Sequence, residues 1–253
     1  MATLGILAAL PDEIRALLDE MGPGATTRRI GMRDYHQGVL HGQPCVIALT
    51  RVGKVAAAAT AATLLHEFKV DRVVFTGLAG GVATKVQVGD VVVGSALVQH
   101  DLDARPLFPR HEVPWLHVDR FATSDALSAL LLRCAAEFLA EVPTAPAVHL
   151  GLIATGDQFI NNAGTVAQLR ADIPEALCVE MEGAAVAQVC YEFNVPCAVL
   201  RTISDRADAD SHLDFPIFLR EVASVYSAGI LRRFLAALPA LDQAMEQPDA
   251  PTA

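Results

Sequence analysis

Residues 177–205 read L-C-V-E-M-E-G-A-A-V-A-Q-V-C-Y-E-F-N-V-P-C-A-V-L-R-T-I-S-D, and this stretch decides the fold. Residues 177–181 form an apolar strand that carries one carboxylate, Glu180. From residue 183 to 193 the small and apolar residues suit a buried helix. Pro196 interrupts it, and the run to residue 204, C-A-V-L-R-T-I-S, is a second apolar strand. Strand, helix and strand in so short a span make a β-α-β unit.

The same alternation extends outward in both directions. Upstream lie a strand at 147–155, a small helix near 164–171 and a helix at about 122–140. Before them come a strand at 90–98 and the short strand R-V-V-F, which runs into a glycine-rich turn at Thr76–Gly81. The Ala-rich segment from Lys54 is strongly helical. R-D-Y-H-Q-G-V-L and C-V-I-A-L-T read as a hairpin with its turn at His41–Pro44. The first strand is 3–10, and Pro11 stands at the start of a helix, where proline is tolerated. Downstream, a last helix over 216–237 precedes a tail expected to be disordered. Such a chain is one doubly wound α/β domain with a mixed sheet, spanning 1–240 with the tail at 241–253. Residues 101–118 carry three prolines, Phe108 and Trp115 without a clear period, so they read as a long loop of functional or interface type.

Composition narrows the function. Hydrophobic residues make up 53% of 253 and charged residues 19%, enough for a large core and too apolar for a disordered chain. A net charge of −10 argues against nucleic acid as a partner, which needs a basic face. No apolar run reaches the roughly 18 residues that cross a membrane, and the N-terminus lacks a basic region before its apolar stretch. Five cysteines without a C-x-x-C pair read as buried thiols in a reducing compartment, and a cytoplasmic location is expected.

Ligand sites in such sheets gather beyond the C-terminal ends of strands. Four ends here carry unusual residues: Glu13, the turn Thr76–Gly81, the acids Glu180 and Glu182, and Arg201 with Asp205. The glycine turn fits either a tight strand-to-helix turn or close backbone approach to a ligand. Glu180 and Glu182 alternate onto one side if the strand persists, as capping acids or as site acids. Arg201 and Asp205 are either a structural ion pair or part of a site. Carboxylates in such apolar surroundings are expensive unless paired or used. No histidine or cysteine spacing suits a metal, and no G-x-S-x-G elbow is present. What remains is carboxylate chemistry without metal, cofactor or covalent nucleophile.

Taken in order, several segments resemble the bacterial 5′-methylthioadenosine/S-adenosylhomocysteine nucleosidases of the nucleoside phosphorylase/hydrolase superfamily. They are G-I-L-A-A-L-P-D-E-I from Gly5, V-G-K-V-A-A-A from Val52, T-G-L-A-G-G from Thr76 and V-G-D-V-V-V from Val88. H-D-L-D from His100, T-G-D-Q-F-I from Thr155, V-E-M-E-G-A-A-V-A from Val179 and R-T-I-S-D-R-A-D-x-x-S-H-L-x-F from Arg201 complete the set. The resemblance implies a three-layer sandwich whose mixed, partly barrel-like central sheet is flanked by helices. It also implies cleavage of the N9–C1′ bond of an adenine nucleoside through a ribosyl cation.

By that resemblance Asp205 protonates adenine N7 and Ser204 orients it, while Glu13 activates water that Arg201 positions. Glu182 holds the ribose 2′- and 3′-hydroxyls with Met181 packed on the sugar, and Glu180 is grouped with them as a substrate-binding acid. Phe159 stacks on adenine and the Ile160 backbone meets its edge. Leu10, Val52 and Phe215 line the pocket, the last two near the 5′ substituent, and Gly80 gives backbone approach. A homodimer is implied, with the 101–118 loop near its interface.

Two departures from the family pattern stand out. Leu78 occupies a place where the family usually has serine, which counts against phosphate as the nucleophile; Arg51, where a small residue is common, could meet an anion. The 101–118 loop differs beyond H-D-x-D, which leaves the 5′ group open. The competing expectations are a phosphate-dependent phosphorylase, a 6-amino-6-deoxyfutalosine nucleosidase and a non-catalytic nucleoside-binding module. A dinucleotide oxidoreductase lacks its glycine fingerprint.

Overall fold

Ile6 and Leu7 are chain neighbours, both fully buried, and they belong to different cores. Strand side chains alternate between faces, so a strand that is apolar at every position must be covered on both sides. The computed structural model, which describes residues 2–207 and 211–246, has that layering. Its elements in chain order are β1 (Leu4–Ala8), α1 (Pro11–Met21), β2 (Thr26–Ile30), β3 (Arg33–Leu40), β4 (Gln43–Leu49), α2 (Lys54–Phe68), β5 (Arg72–Gly81), β6 (Val91–Gln99), β7 (Phe121–Ala122), α3 (Asp125–Leu139), β8 (Val148–Thr155), α4 (Ala163–Asp172), β9 (Ala176–Glu180), α5 (Gly183–Glu192), β10 (Cys197–Asp205), α6 (Ser211–Phe218) and α7 (Ser224–Glu246). A π-helical turn, Leu219–Ala223, joins the last two.

Ile6, Val74, Val93 and Leu200 face the helices α1, α3 and α7. Leu7, Phe75, Val92 and Val199 face α2 and α5. A smaller core built on Val98, Ala154 and Val179 seats α4 through Val166 and Leu169.

The sheet runs β10-β6-β8-β9-β5-β1-β4-β3-β2, and β10 also pairs with β5. That extra pairing closes β10, β6, β8, β9 and β5 into a five-strand barrel, from which β1, β4, β3 and β2 extend as a wing. Parallel ladders (β1 on β4 and β5, β10 on β5) mix with antiparallel ones (β10 on β6, β5 on β9), as the mixed, partly barrel-like sheet requires.

Several boundaries differ from the sequence reading, each for a physical reason. Thr76–Gly81 is not a turn: β5 continues through it because Gly80 and Gly81 pair with Val179 and Cys178 on one side. On the other side Gly77 to Gly80 pair with β10. The first strand stops at Ala8, and Leu10 is the extended residue before α1, with Pro11 in the first turn as expected. Helix α3 starts at Asp125 rather than near 122, since the Ser124 hydroxyl accepts the Leu127 N–H and caps it there. β2, unforeseen because its burial is almost wholly exposed, pairs with β3 at the edge of the sheet. The last helix runs on to Glu246 rather than ending near 237, so residues 241–246 of the expected tail are helical, and Arg72 pairs with Asp242 on it. Residues 247–253 lie outside the described residues. All five cysteines are free and buried, as expected. Among the described residues no helix is long and apolar enough to cross a membrane, and no cluster of His, Cys, Asp or Glu could hold a metal.

Candidate active site

Glu13 stands third in α1, and its carboxylate turns back to the helix start. Oε2 accepts the Ala9 and Leu10 N–H groups, both at 2.8 Å, and Oε1 accepts the Leu78 N–H at 3.1 Å. A helix N-terminus leaves N–H groups without partners and favours a negative charge, so an acid at this position is locally sensible. Glu13 is nevertheless only 3% exposed. Burial raises its pKa from the usual carboxylate value, against the lowering by these N–H groups and by Arg201. Gly77 makes the approach possible: a Cβ there would stand 2.9 Å from Glu13 Oε1 and 3.1 Å from Arg201 Nη1.

The Glu180–Glu182 pair divides its work. β9 ends at Glu180, so the expected strand alternation does not reach Glu182, which is the residue preceding α5. The Glu180 carboxylate accepts the Thr155 hydroxyl, the Glu182 and Gly183 N–H groups, and the Arg201 guanidinium at 2.6 Å. Its carboxylate is engaged by the protein on both oxygens, and it also lines the cavity, as expected for a residue at the site. Among the described residues the Glu182 carboxylate, in contrast, accepts one protein hydrogen bond, from the Gly53 N–H at 2.8 Å on Oε1. Burial, then the neighbouring Glu180, pushes its pKa up to about 8.

Arg201 is 1% exposed and lies over the Phe75 ring, 4.1 Å from guanidinium carbon to centroid. Its ion-pair partner is Glu180, so the alternative of an Arg201–Asp205 bridge does not hold. Such a buried pair is weak evidence of net stability, because desolvation offsets its attraction. What it secures is a fixed cation behind Glu13 and Glu182, both of which feel its charge.

Asp205 closes β10 and is 2% exposed. The Ser204 hydroxyl donates to Oδ2 at 2.7 Å and the Ala207 N–H to Oδ1 at 2.8 Å. A Cβ on Gly80 would sit 3.0 Å from Oδ1, so glycine lets the strand pass the carboxyl closely.

These groups meet at one cavity of about 360 Å³. Of the site residues expected from sequence, Leu10, Glu13, Val52, Gly80, Phe159, Ile160, Glu180, Met181, Glu182, Ser204, Asp205 and Phe215 all line it; Arg201 lies behind them. Phe159 and Phe215 meet edge to face with centroids 5.7 Å apart at its mouth, where Phe159 is 45% and Val52 51% exposed. Ala9, Ala79, Gln158 and Val179 were not assigned from sequence and also form its wall, as does Leu78, singled out as a departure from the family pattern. Arg51 does not: held at φ 66°, it donates to the Met32 carbonyl at 2.7 Å.

A model of the phosphorylase superfamily matches residues 3–236. Among solved structures, the 5′-methylthioadenosine/S-adenosylhomocysteine nucleosidase of Neisseria meningitidis, in complex with methylthio-immucillin-A, is 34% identical with a TM-score of 0.87. The match covers 94% of this chain and 100% of that one. The enzyme of the same description from Colwellia psychrerythraea 34H, in complex with adenine, is also 34% identical, at a TM-score of 0.85 over 94% and 96% of the two chains. A futalosine hydrolase mutant of Helicobacter pylori strain 26695 is 33% identical at 0.84, over 93% and 99%.

Proposed function

The chain belongs to the phosphorylase superfamily, and we propose that it is an N-glycosyl hydrolase that splits the N9–C1′ bond of 5′-methylthioadenosine and S-adenosylhomocysteine. The products are adenine and the 5′-thioribose. One observation carries hydrolysis over phosphorolysis: among the described residues the cavity is lined by four acids, Glu13, Glu180, Glu182 and Asp205, and by no Lys, Arg or His. A phosphate nucleophile would enter against these carboxylates, with Arg201 already paired, Arg51 turned to a carbonyl and a leucine at position 78. Water needs no cation.

Cleavage builds positive charge on the ribose and negative charge on the leaving base. Asp205, aligned by Ser204, serves as the acid at adenine N7. Glu13 takes a proton from the attacking water, and Arg201, fixed by Glu180, sets the field around it. Glu182 has acceptor capacity left for the ribose 2′- and 3′-hydroxyls, with Met181 against the sugar. Phe159 stacks on adenine and the Ile160 backbone meets its edge. Val52 and Phe215, at the mouth, face the 5′ substituent. That half-open mouth, with a futalosine hydrolase among the similar structures, also supports 6-amino-6-deoxyfutalosine as a substrate. The free, buried thiols support a reducing, cytoplasmic setting.

Methylthioadenosine incubated without phosphate should yield adenine and free methylthioribose at a rate that added phosphate leaves unchanged. A strict phosphate requirement, with a sugar phosphate as product, would overturn hydrolysis.

A homodimer is part of the same proposal. Leu107 and Trp115 in the 101–118 segment are 83% and 84% exposed, and Val55 on α2, next to the Lys54 that pairs with Asp101, is 82% exposed. Large apolar side chains this exposed suit an interface. Sedimentation velocity should give twice the chain mass, and Trp115→Asp should shift it toward the monomer; a native monomer with full activity would sink the dimer.

A further inference from the structure

Helix α2 starts without a cap of its own. The residue before it is Gly53, at φ 97°, which has no side chain to accept the first N–H groups. Asp157, 103 residues further on, supplies the acceptor: its Oδ1 takes the Lys54 N–H at 2.8 Å. The Lys54 ammonium in turn reaches Asp101 Oδ1 at 2.6 Å and Gln99 Oε1 at 3.2 Å. Asp101 Oδ2 accepts the Asp157 N–H at 2.9 Å, and the ring is closed. The Lys54 and Asp101 side chains are 17% and 26% exposed, while the bonds of the ring lie at the surface, where water screens them in part. Burial alone would raise the Asp101 carboxyl, but the Lys54 ammonium and the Asp157 N–H hold it below the usual range.

Two corners of this ring, Lys54 and Asp157, end beside groups assigned to the nucleoside. Gly53, next to Lys54, gives its N–H to Glu182, and Val52 lines the cavity. Asp157 opens the segment that carries Gln158, Phe159 and Ile160 along the cavity wall before α4 begins. Behind it the His100 ring fills the space beside Gly156, where a Cβ would stand 2.2 Å from Nε2. The Val52–Lys54 turn and the 156–160 segment are thus two walls tied to each other and to the end of β6.

We propose that Lys54, Asp101 and Asp157 form a clamp that sets the separation of these two walls, as positioning residues for Phe159 and Glu182. None of the three lines the cavity, so they act through their neighbours. The assignment of adenine and ribose to those neighbours rests on the function proposed above.

The test compares Asp157→Ala and Lys54→Met with Asp157→Asn, which keeps an acceptor for the Lys54 N–H. Charged hydrogen bonds of this kind justify an expected rise in KM for methylthioadenosine of about tenfold in the first two, with kcat little changed, and a near-native KM in the third. Amide hydrogen exchange in peptides covering 51–55 and 156–162 should quicken in the first two variants while β5 keeps its protection. A KM within about twofold of native in both, or unchanged exchange in both segments, would overturn the clamp. A loss confined to kcat would overturn it too. If the native protein releases no adenine, the nucleosidase reading fails, and the exchange data alone decide for or against the clamp.

Discussion

Replacing Asp205 with asparagine is expected to slow adenine release by roughly 10²–10⁴-fold, the usual contribution of a positioned acid. The substitution is nearly isosteric. The amide oxygen can still accept the Ala207 N–H, and the Ser204 hydroxyl can rotate to accept from the new NH₂, so the close passage beside Gly80 is preserved. What the amide cannot do is give up a proton to the departing base. The expected signature is a collapse in kcat with KM for methylthioadenosine close to native, since little ground-state binding is removed. Thermal melting should stay within the small range of a conservative change. Ser204→Ala removes alignment but not the acid, and its loss should be clearly smaller. Adenine release by Asp205→Asn at a near-native rate would take Asp205 out of the chemistry.

The acids of this site were legible for one reason: each interrupts or ends an otherwise apolar stretch, where an unpaired charge is expensive. Exposure of only 2–6% for Glu13, Glu180, Glu182 and Asp205 bears that out. Their partners were not legible, because they come from distant elements. Arg201 appeared a natural mate for Asp205, four residues on. Four residues along a strand, however, span about 13 Å, too far for an ion pair. The actual partner, Glu180, lies 21 residues away across the barrel.

The turn composition of G-L-A-G-G misled for a related reason. Local propensity favours a turn, but ladders to β10 and β9 claim both edges of those residues and hold them extended. The glycines serve instead as clearance, Gly77 for Glu13 and Gly80 for Asp205. Only the folded neighbours reveal that need. The resemblance supplied roles for the acids, whereas the division between Glu180 as frame and Glu182 as open acceptor is visible only in the hydrogen bonds.

Glu13→Gln is expected to reduce turnover by a similar ~10²–10⁴-fold and also to change the shape of the pH profile. Glu13 works as a base only when ionised, and burial raises its pKa above that of a free carboxylate. The native rate should therefore fall on the acid side at a higher pH than an exposed glutamate would produce. Stability runs the other way. A group whose folded pKa is raised binds its proton more tightly in the folded state, so its contribution is complete below the unfolded value and is lost as pH rises through the folded one. Glu182, with its pKa at about 8, adds a slope of the same sign between the ordinary glutamate value of 4.5 and there. Raising the pH thus switches the base on while drawing on folding stability.

Glutamine removes both effects: the residual rate should lose its acid limb, and melting temperature should decline less steeply with pH. One complication is structural, since three N–H groups point at this carboxylate and the glutamine NH₂ must face at least one of them. Binding of adenine, measured calorimetrically on the same sample, separates a misfolded variant from an inactive one. A folded, adenine-binding Glu13→Gln protein that keeps the native rate and acid limb would assign the base to another group.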